Sequence, residues 1–291
     1  MKSILCLLVS AALVAGCSQK STPPPRTGAS TMATPATSSI VPAEPSKISK
    51  QRAMELMEAI FHDDYDPKAD HALSFVEDGD ESGNYIMTFV AAMELVDGRV
   101  VVFVNGTTSD EEGNDLSAHA TPGQLCVYAL RRSGGKWEVK ETHEKVAAMG
   151  SNGQFGSIKW IELGKNKQGF IAFSGGVWQG NVITAVDIFE LDDGVRHLGG
   201  FKQYSDNSGA CAPGKDDCWE VEGNISLTES APESQYRDIV VDFRDKRLFT
   251  TEDKDGTYVE HIKSDVHKSA RYRFDGKKYV LASGSNPVPD I

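Results

Sequence analysis

The spacing of apolar positions changes once along this chain. From Ile48 to Phe61 the residues Ala53, Met54, Met57, Ile60 and Phe61 recur at three- and four-residue intervals, which lines one face of a helix. Ser46 stands ahead of them as an N-cap. The spacing predicts one helix over 48–61, its apolar stripe docked on the rest of the fold. Beyond Asp64 the period falls to two. Alternating or β-branched runs follow at Tyr85–Val90, Val100–Val104, Leu125–Leu130, Trp137–Lys140, Ile158–Leu163 and Gly169–Phe173. Further runs occupy Val182–Glu190, Ile225–Thr228, Ile239–Asp242, Thr257–Ile262 and Tyr279–Ala282. Asp97-Gly98, Gly134-Gly135, Asp193-Gly194, Asp255-Gly256 and Asp275-Gly276 stand between them. These pairs accept the positive φ that twisted two-residue turns require, so they predict hairpins.

The expected class is all-β, a meander of antiparallel hairpins with one N-terminal helix. Tyr128 to Val139 echoes Tyr272 to Val280, and Phe189 to Gly194 is a partial third copy. Each is a strand, a glycine turn and a returning strand, the way propeller blades repeat. A β-propeller or propeller-like sheet assembly is expected first, a β-sandwich second.

The N-terminus carries a different pattern. One cation, Lys2, precedes an apolar run from Ile4 to Val14, and small residues lead into Cys17. That is the layout of a cleaved secretory signal, too short to span a bilayer. A small-residue site ending in cysteine reads as a lipobox, with Cys17 lipidated as the mature N-terminus. An ordinary signal peptide containing a cysteine is the alternative. Ser18, not Asp, follows, which by Gram-negative sorting directs the periplasmic face of the outer membrane. From Cys17 to residue 46 the chain is Ser, Thr, Pro and Ala with almost no large apolar residue, a tether that cannot bury enough surface to order itself. Folding falls to residues 47–291, enough for a sizeable core.

Composition narrows the partners. The net charge is −12, from 30 basic and 42 acidic residues, and no basic stripe exists, which argues against nucleic acid. An acidic surface favours a basic partner through steering, or selects none. Cys211 and Cys218 bracket a polar, turn-rich loop and are expected to pair in an oxidising compartment; a two-cysteine metal site is the alternative, without a histidine at ligand spacing. Cys126, between Leu125 and Val127, reads as a buried free thiol.

Candidate chemistry is sparse. Asp253-Lys-Asp255-Gly256-Thr257 matches the middle of a calcium loop, in which alternate oxygens turn inward. Thr251 replaces the first acid and Ile262 the last, so Glu260 or a carboxylate from another strand would complete the shell. A plain Asp-Gly hairpin is the other reading. Asp78-Gly-Asp80 is a weaker version, and Asp206, Asn207, Asp216 and Asp217 form another acid-rich loop. None of the seven histidines has paired-ligand spacing, and no nucleophile elbow or phosphate loop is present. Glu138 and Asp187 read as surface ion-pair formers. An enzyme is not expected.

Two segments read as recognition loops. Gly150 to Ser157 carries Ser151 and Phe155 among glycines, and Ser174-Gly175-Gly176-Val177-Trp178 leads to Asn181. An aromatic at such a tip can anchor in a partner's cleft; alternatively each aromatic folds back on the core. With these residues in view, the chain resembles the periplasmic immunity lipoproteins that accompany peptidoglycan-hydrolase effectors of antibacterial type IV secretion systems. Those are related to inhibitors of invertebrate-type lysozyme. The likeness rests on the lipobox, the tether, the β region with its Tyr-Arg-Phe-Asp-Gly-Lys-Lys-Tyr ending, and the acidic loops. It implies a propeller-like fold, a structural Ca²⁺ site at Asp253–Thr257, and a Ser-Gly loop with a nearby aromatic that enters the hydrolase cleft. Ser174 to Trp178 is similar to that loop, with Trp where Tyr is usual, so Gly150–Ser157 stays a second candidate. A non-inhibitory envelope scaffold and a periplasmic hydrolase are the other functions to weigh.

Overall fold

Among the described residues every strand pairs antiparallel with a neighbour in sequence, the one break falling between the sixth and seventh strands, so the fold is built almost wholly from hairpins. The structure is a computed structural model and describes residues 48–290 apart from 80, 81, 96, 193, 213, 215–217, 232 and 233. The signal segment, Cys17 and the tether to residue 46 lie outside the described residues, as do Asp80, Asp216 and Asp217.

Helix α1 spans Lys50–Phe61 and is capped by Ser49, whose Oγ accepts from the Arg52 amide at 3.2 Å. The cap is therefore three residues later than the expected Ser46. Leu56, Met57 and Phe61 form its buried stripe. Six strands make the first sheet: β1 (Tyr65–Asp66), β2 (His71–Val76), β3 (Gly83–Glu94), β4 (Val100–Ser109), β5 (Gly123–Ser133) and β6 (Lys136–Met149). Eight make the second: β7 (Ser157–Gly164), β8 (Lys167–Trp178), β9 (Asn181–Asp192), β10 (Gly194–Asp206), β11 (Cys218–Thr228), β12 (Asp238–Glu252), β13 (Tyr258–Phe274) and β14 (Tyr279–Gly284). Four of the expected glycine pairs, at 97–98, 134–135, 255–256 and 275–276, fall between paired strands, while Gly194 opens β10 and Asp193 lies outside the described residues; Gly134 and Gly135, with φ of 57° and 85°, close β5 onto β6.

The all-β class, the hairpin meander and the N-terminal helix are as the sequence implies. Both sheets are open, and they stack face to face, which fits the sandwich alternative. β4 explains the stacking. Its run Val100 to Val104 is buried on both faces. Val102 and Val104 face α1 with Met87, Cys126 and Tyr128. Val101 and Phe103 face the second sheet, where Phe155, Trp160, Phe170 and Phe189 complete an inter-sheet core. Each buried large side chain contributes about 1.5–3 kcal/mol by leaving water, so this aromatic layer fixes how the sheets meet.

The second sheet folds on itself. Only Tyr204–Asp206 of β10 pairs with Glu220–Glu222 of β11, and β10 slips register twice against β9. Such bulges bend a sheet. Ile171, Ile188 and Leu198 from one half thereby share a core with Val221, Val241 and Tyr272 from the other. Strands β1, β2 and β10 have no counterpart among the expected runs: β1 is two residues long, β2 has a short apolar content broken by Ser74, and Gly194–Asp206 mixes charge and glycine with short apolar stretches.

Candidate functional site

Of the two segments expected as loops, one is sealed and one is a strand. Phe155 is 1% exposed and belongs to the inter-sheet core. It is thus withdrawn as a protruding anchor; its ring gains more from the aromatic layer than from water. The segment that carries it is pinned by a buried polar latch. Asn105 Nδ2 donates to Gly153 O at 2.8 Å and to Thr107 Oγ1 at 3.0 Å, and its Oδ1 accepts from the Phe155 amide at 3.1 Å. Thr107 Oγ1 also donates to Gly153 O, at 3.0 Å. All of Asn105's polar atoms are spent holding that backbone, as burial requires.

Ser174 to Trp178 is the last part of β8, not a crossing loop. It pairs with β9 residue by residue, from Ser174 with Ala185 to Trp178 with Asn181. Gln179 and Gly180, with φ of 50° and 82°, make the two-residue turn. Asn181 Nδ2 donates to Trp178 O at 3.0 Å across it. Ser174 is buried.

The outer edge of this stretch is where the site is built. β7 pairs with β8 only as far as Phe173, so the next carbonyls on that side lack a strand partner. Side chains supply it. Ser151 Oγ donates to Gly175 O at 3.0 Å, and His119 Nε2 bonds Val177 O. The 115–122 and 150–156 segments are joined in turn: the Asn152 amide donates to His119 O at 3.2 Å and the Gly153 amide to Thr121 O at 2.9 Å. An open β edge is thereby blocked along two backbone groups.

Trp178 does not point away from the tip. A Cβ on Gly176 would lie 2.6 Å from its six-membered ring and 2.7 Å from Ser151 Oγ, so the indole folds back along β8 over a residue that has to be glycine. His119 meets it edge-on, with ring centroids 6.0 Å apart. Val177, on the opposite face of the strand, is 49% exposed. On the far side Gly180 abuts Gly209 at 2.9 Å from a would-be Cβ, in the segment that leads to the Cys211–Cys218 disulfide, S–S 2.04 Å. The tip is therefore a braced knuckle with an apolar crown. Val177 lies within the expected recognition segment but is not marked there as its contact residue, and nothing local marks His119, 58 residues away, as a brace.

The residues expected to bind calcium lie at or beside the turn between two strands. Asp253 Oδ1 accepts from the amides of Asp255 and Thr257, both at 2.9 Å, which makes an Asx-type turn closing β12 onto β13. Asp255, Thr257 and Glu260 are exposed around it. Among the described residues no group of three or more His, Cys, Asp or Glu is placed to hold a metal ion.

Several charged groups elsewhere are tied into ion pairs. Glu138 bonds Lys140 at 2.6 Å and Asp187 bonds His197 at 2.8 Å. Glu190, 2% exposed, receives Lys167 at 3.1 Å, Tyr236 Oη at 2.9 Å and the guanidinium of Arg196. Burial pushes its carboxyl up, yet the bonds from Arg196, Tyr236 and Lys167 outweigh this and hold it below the usual range. Asp238, fully buried, is likewise held low by Arg273, Ser230 and Arg271 against burial. Cys126 is the free cysteine among the described residues, and burial pushes its thiol up to about 12, so it is inert. Among the described residues no helix is long and apolar enough to cross a membrane. Comparison with family models, with curated proteins and with solved structures finds no match for this chain.

Proposed function

We propose that this chain is a periplasmic lipoprotein, held through lipid on Cys17 at the outer membrane, that binds and inhibits a lysozyme-like peptidoglycan hydrolase. The observation that carries the reading is the braced β8–β9 knuckle, with Val177 exposed at its crown and Trp178 packed beneath. Such an element enters a cleft with little ordering cost, because its backbone is already paired on both edges. The family resemblance supplies the kind of partner, and the net charge of −12 suits an enzyme with a basic surface.

Inhibition is physical blockade. The knuckle occupies the sugar-binding groove, and its turn carries Gln179, an exposed neutral donor that faces carboxylates without adding like charge. Immunity follows if the enzyme is one the producing cell delivers or meets in its own envelope.

The test mixes purified mature protein with a lysozyme-like hydrolase and follows turbidity of cell walls and complex formation by light scattering. Loss of lysis with a one-to-one complex, weakened by Val177→Asp, supports the proposal. A complex that leaves lysis intact assigns a scaffold role instead, and release of wall fragments by the protein alone assigns a hydrolase.

A further inference from the structure

On the first sheet, Leu73 and Phe75 project from the same face of β2 and are 38% and 58% exposed. That face is the one whose continuation in β4 packs on the second sheet, through Val101 and Phe103. At β2 the cover ends. β1 pairs only with His71 and Ala72, so among the described residues no strand pairs with the outer edge of Leu73–Val76.

The segment that borders this patch is the one that braces the knuckle. Its first turn, Asp110 to Asn114, closes against Leu73: a Cβ on Gly113 would lie 2.9 Å from the leucine methyl carbons. Its far end carries His119 onto Val177 and Trp178. The turn is acidic. Asp110 is held below the usual carboxylate range chiefly by the Asn114 side chain, and Asp115 by Ser117. With Glu111 and Glu112, these are four carboxylates that form no ion pair among the described residues. An apolar ledge beside unneutralised acids is complementary to an apolar contact rimmed by lysine or arginine, since acids left unpaired at a dry interface would otherwise be costly.

Resting on the hydrolase-binding reading, we infer that the contact surface has two parts, the β8–β9 knuckle and the Leu73–Phe75 ledge, joined by residues 110–119. The ledge docks a basic flank of the enzyme outside its cleft. The knuckle supplies blockade, while the ledge supplies most of the salt-sensitive attraction and the choice among hydrolases. Its area adds to that of the knuckle, which alone is small for a stable complex.

The experiment measures binding of the full mature protein to an invertebrate-type lysozyme by surface plasmon resonance at low and high salt, alongside inhibition of lysis. Phe75→Ser with Leu73→Ser and, separately, Glu111→Lys with Glu112→Lys are compared with Glu138→Lys on β6. All these side chains are exposed, and melting curves confirm that each variant folds. Both ledge variants are expected to weaken binding about tenfold or more, the charge reversal also flattening the salt dependence, while Glu138→Lys changes neither. Binding and inhibition undiminished by the ledge variants overturn the ledge and leave the knuckle reading standing. Absence of any complex overturns both. A concentration-dependent dimer of the protein alone, abolished by Phe75→Ser, overturns the enzyme as occupant and makes the ledge a self-association surface.

Discussion

The hydroxyl of Ser151 donates to the carbonyl of Gly175 at 3.0 Å, fastening one glycine-rich segment to the other. With His119 on Val177 it replaces a missing strand along the upper edge of β8. Removing Ser151 to alanine leaves that carbonyl unmet and is expected to cost about 1 kcal/mol of stability. Pairing Ser151→Ala with His119→Ala should loosen the tip far more than the fold. Amide exchange at Gly176 and Trp178, set against exchange in β12, measures the difference.

Gly176→Ala is expected to matter more than its size suggests. The new methyl would meet the Trp178 ring and Ser151 Oγ at under 3 Å, and the aromatic is the part able to swing away. Tryptophan fluorescence should shift to the red and binding to a hydrolase should weaken, with the melting temperature little changed. Unchanged fluorescence would show that the indole does not rest over residue 176.

The buried carboxylates of Glu190 and Asp238 contribute to the acid sensitivity of the fold. Both have folded-state pKa values depressed by their cations and hydroxyl donors, burial opposing. A depressed carboxylate contributes stability above its unfolded pKa and loses it as pH falls through the folded one. Stability should therefore hold at neutral pH and decline once pH drops below the ordinary values of 4.5 and 3.8. Glu190→Gln, which leaves Lys167 and Arg196 facing a neutral group, should cost on the order of 3 kcal/mol at pH 7 and flatten the acid slope. Urea melts between pH 7 and 3 check both.

Asp253 holds its turn through two amide bonds. Asp253→Ala is expected to destabilise the β12–β13 hairpin by about 1 kcal/mol, equally in EDTA and in millimolar calcium. A melting temperature of the parent protein that rises with calcium would instead return the metal to this loop.

Local chemistry was legible where one residue decides the outcome. Glycine and Asp-Gly pairs mark the turns because few residues accept positive φ. The apolar stripe of α1, the Val100–Val104 strand and the Cys211–Cys218 pair could all be read from residue type and spacing. Less local features were not. Gly175 to Trp178 looks like a flexible loop by composition, yet it is strand because β9 supplies partners for it.

The sequence by itself determined an antiparallel β fold with one helix, its turns and its disulfide, since these follow from backbone preferences and short-range periodicity. Only the tertiary structure decided that Phe155 faces inward and that Trp178 lies over Gly176. It also decided that His119, Ser151 and Asn105 spend their polar atoms on backbone 58, 24 and 50 residues away. Alternation along a strand fixes which side chains share a face. What covers that face depends on how the sheets stack, and long-range packing leaves no local trace in the chain.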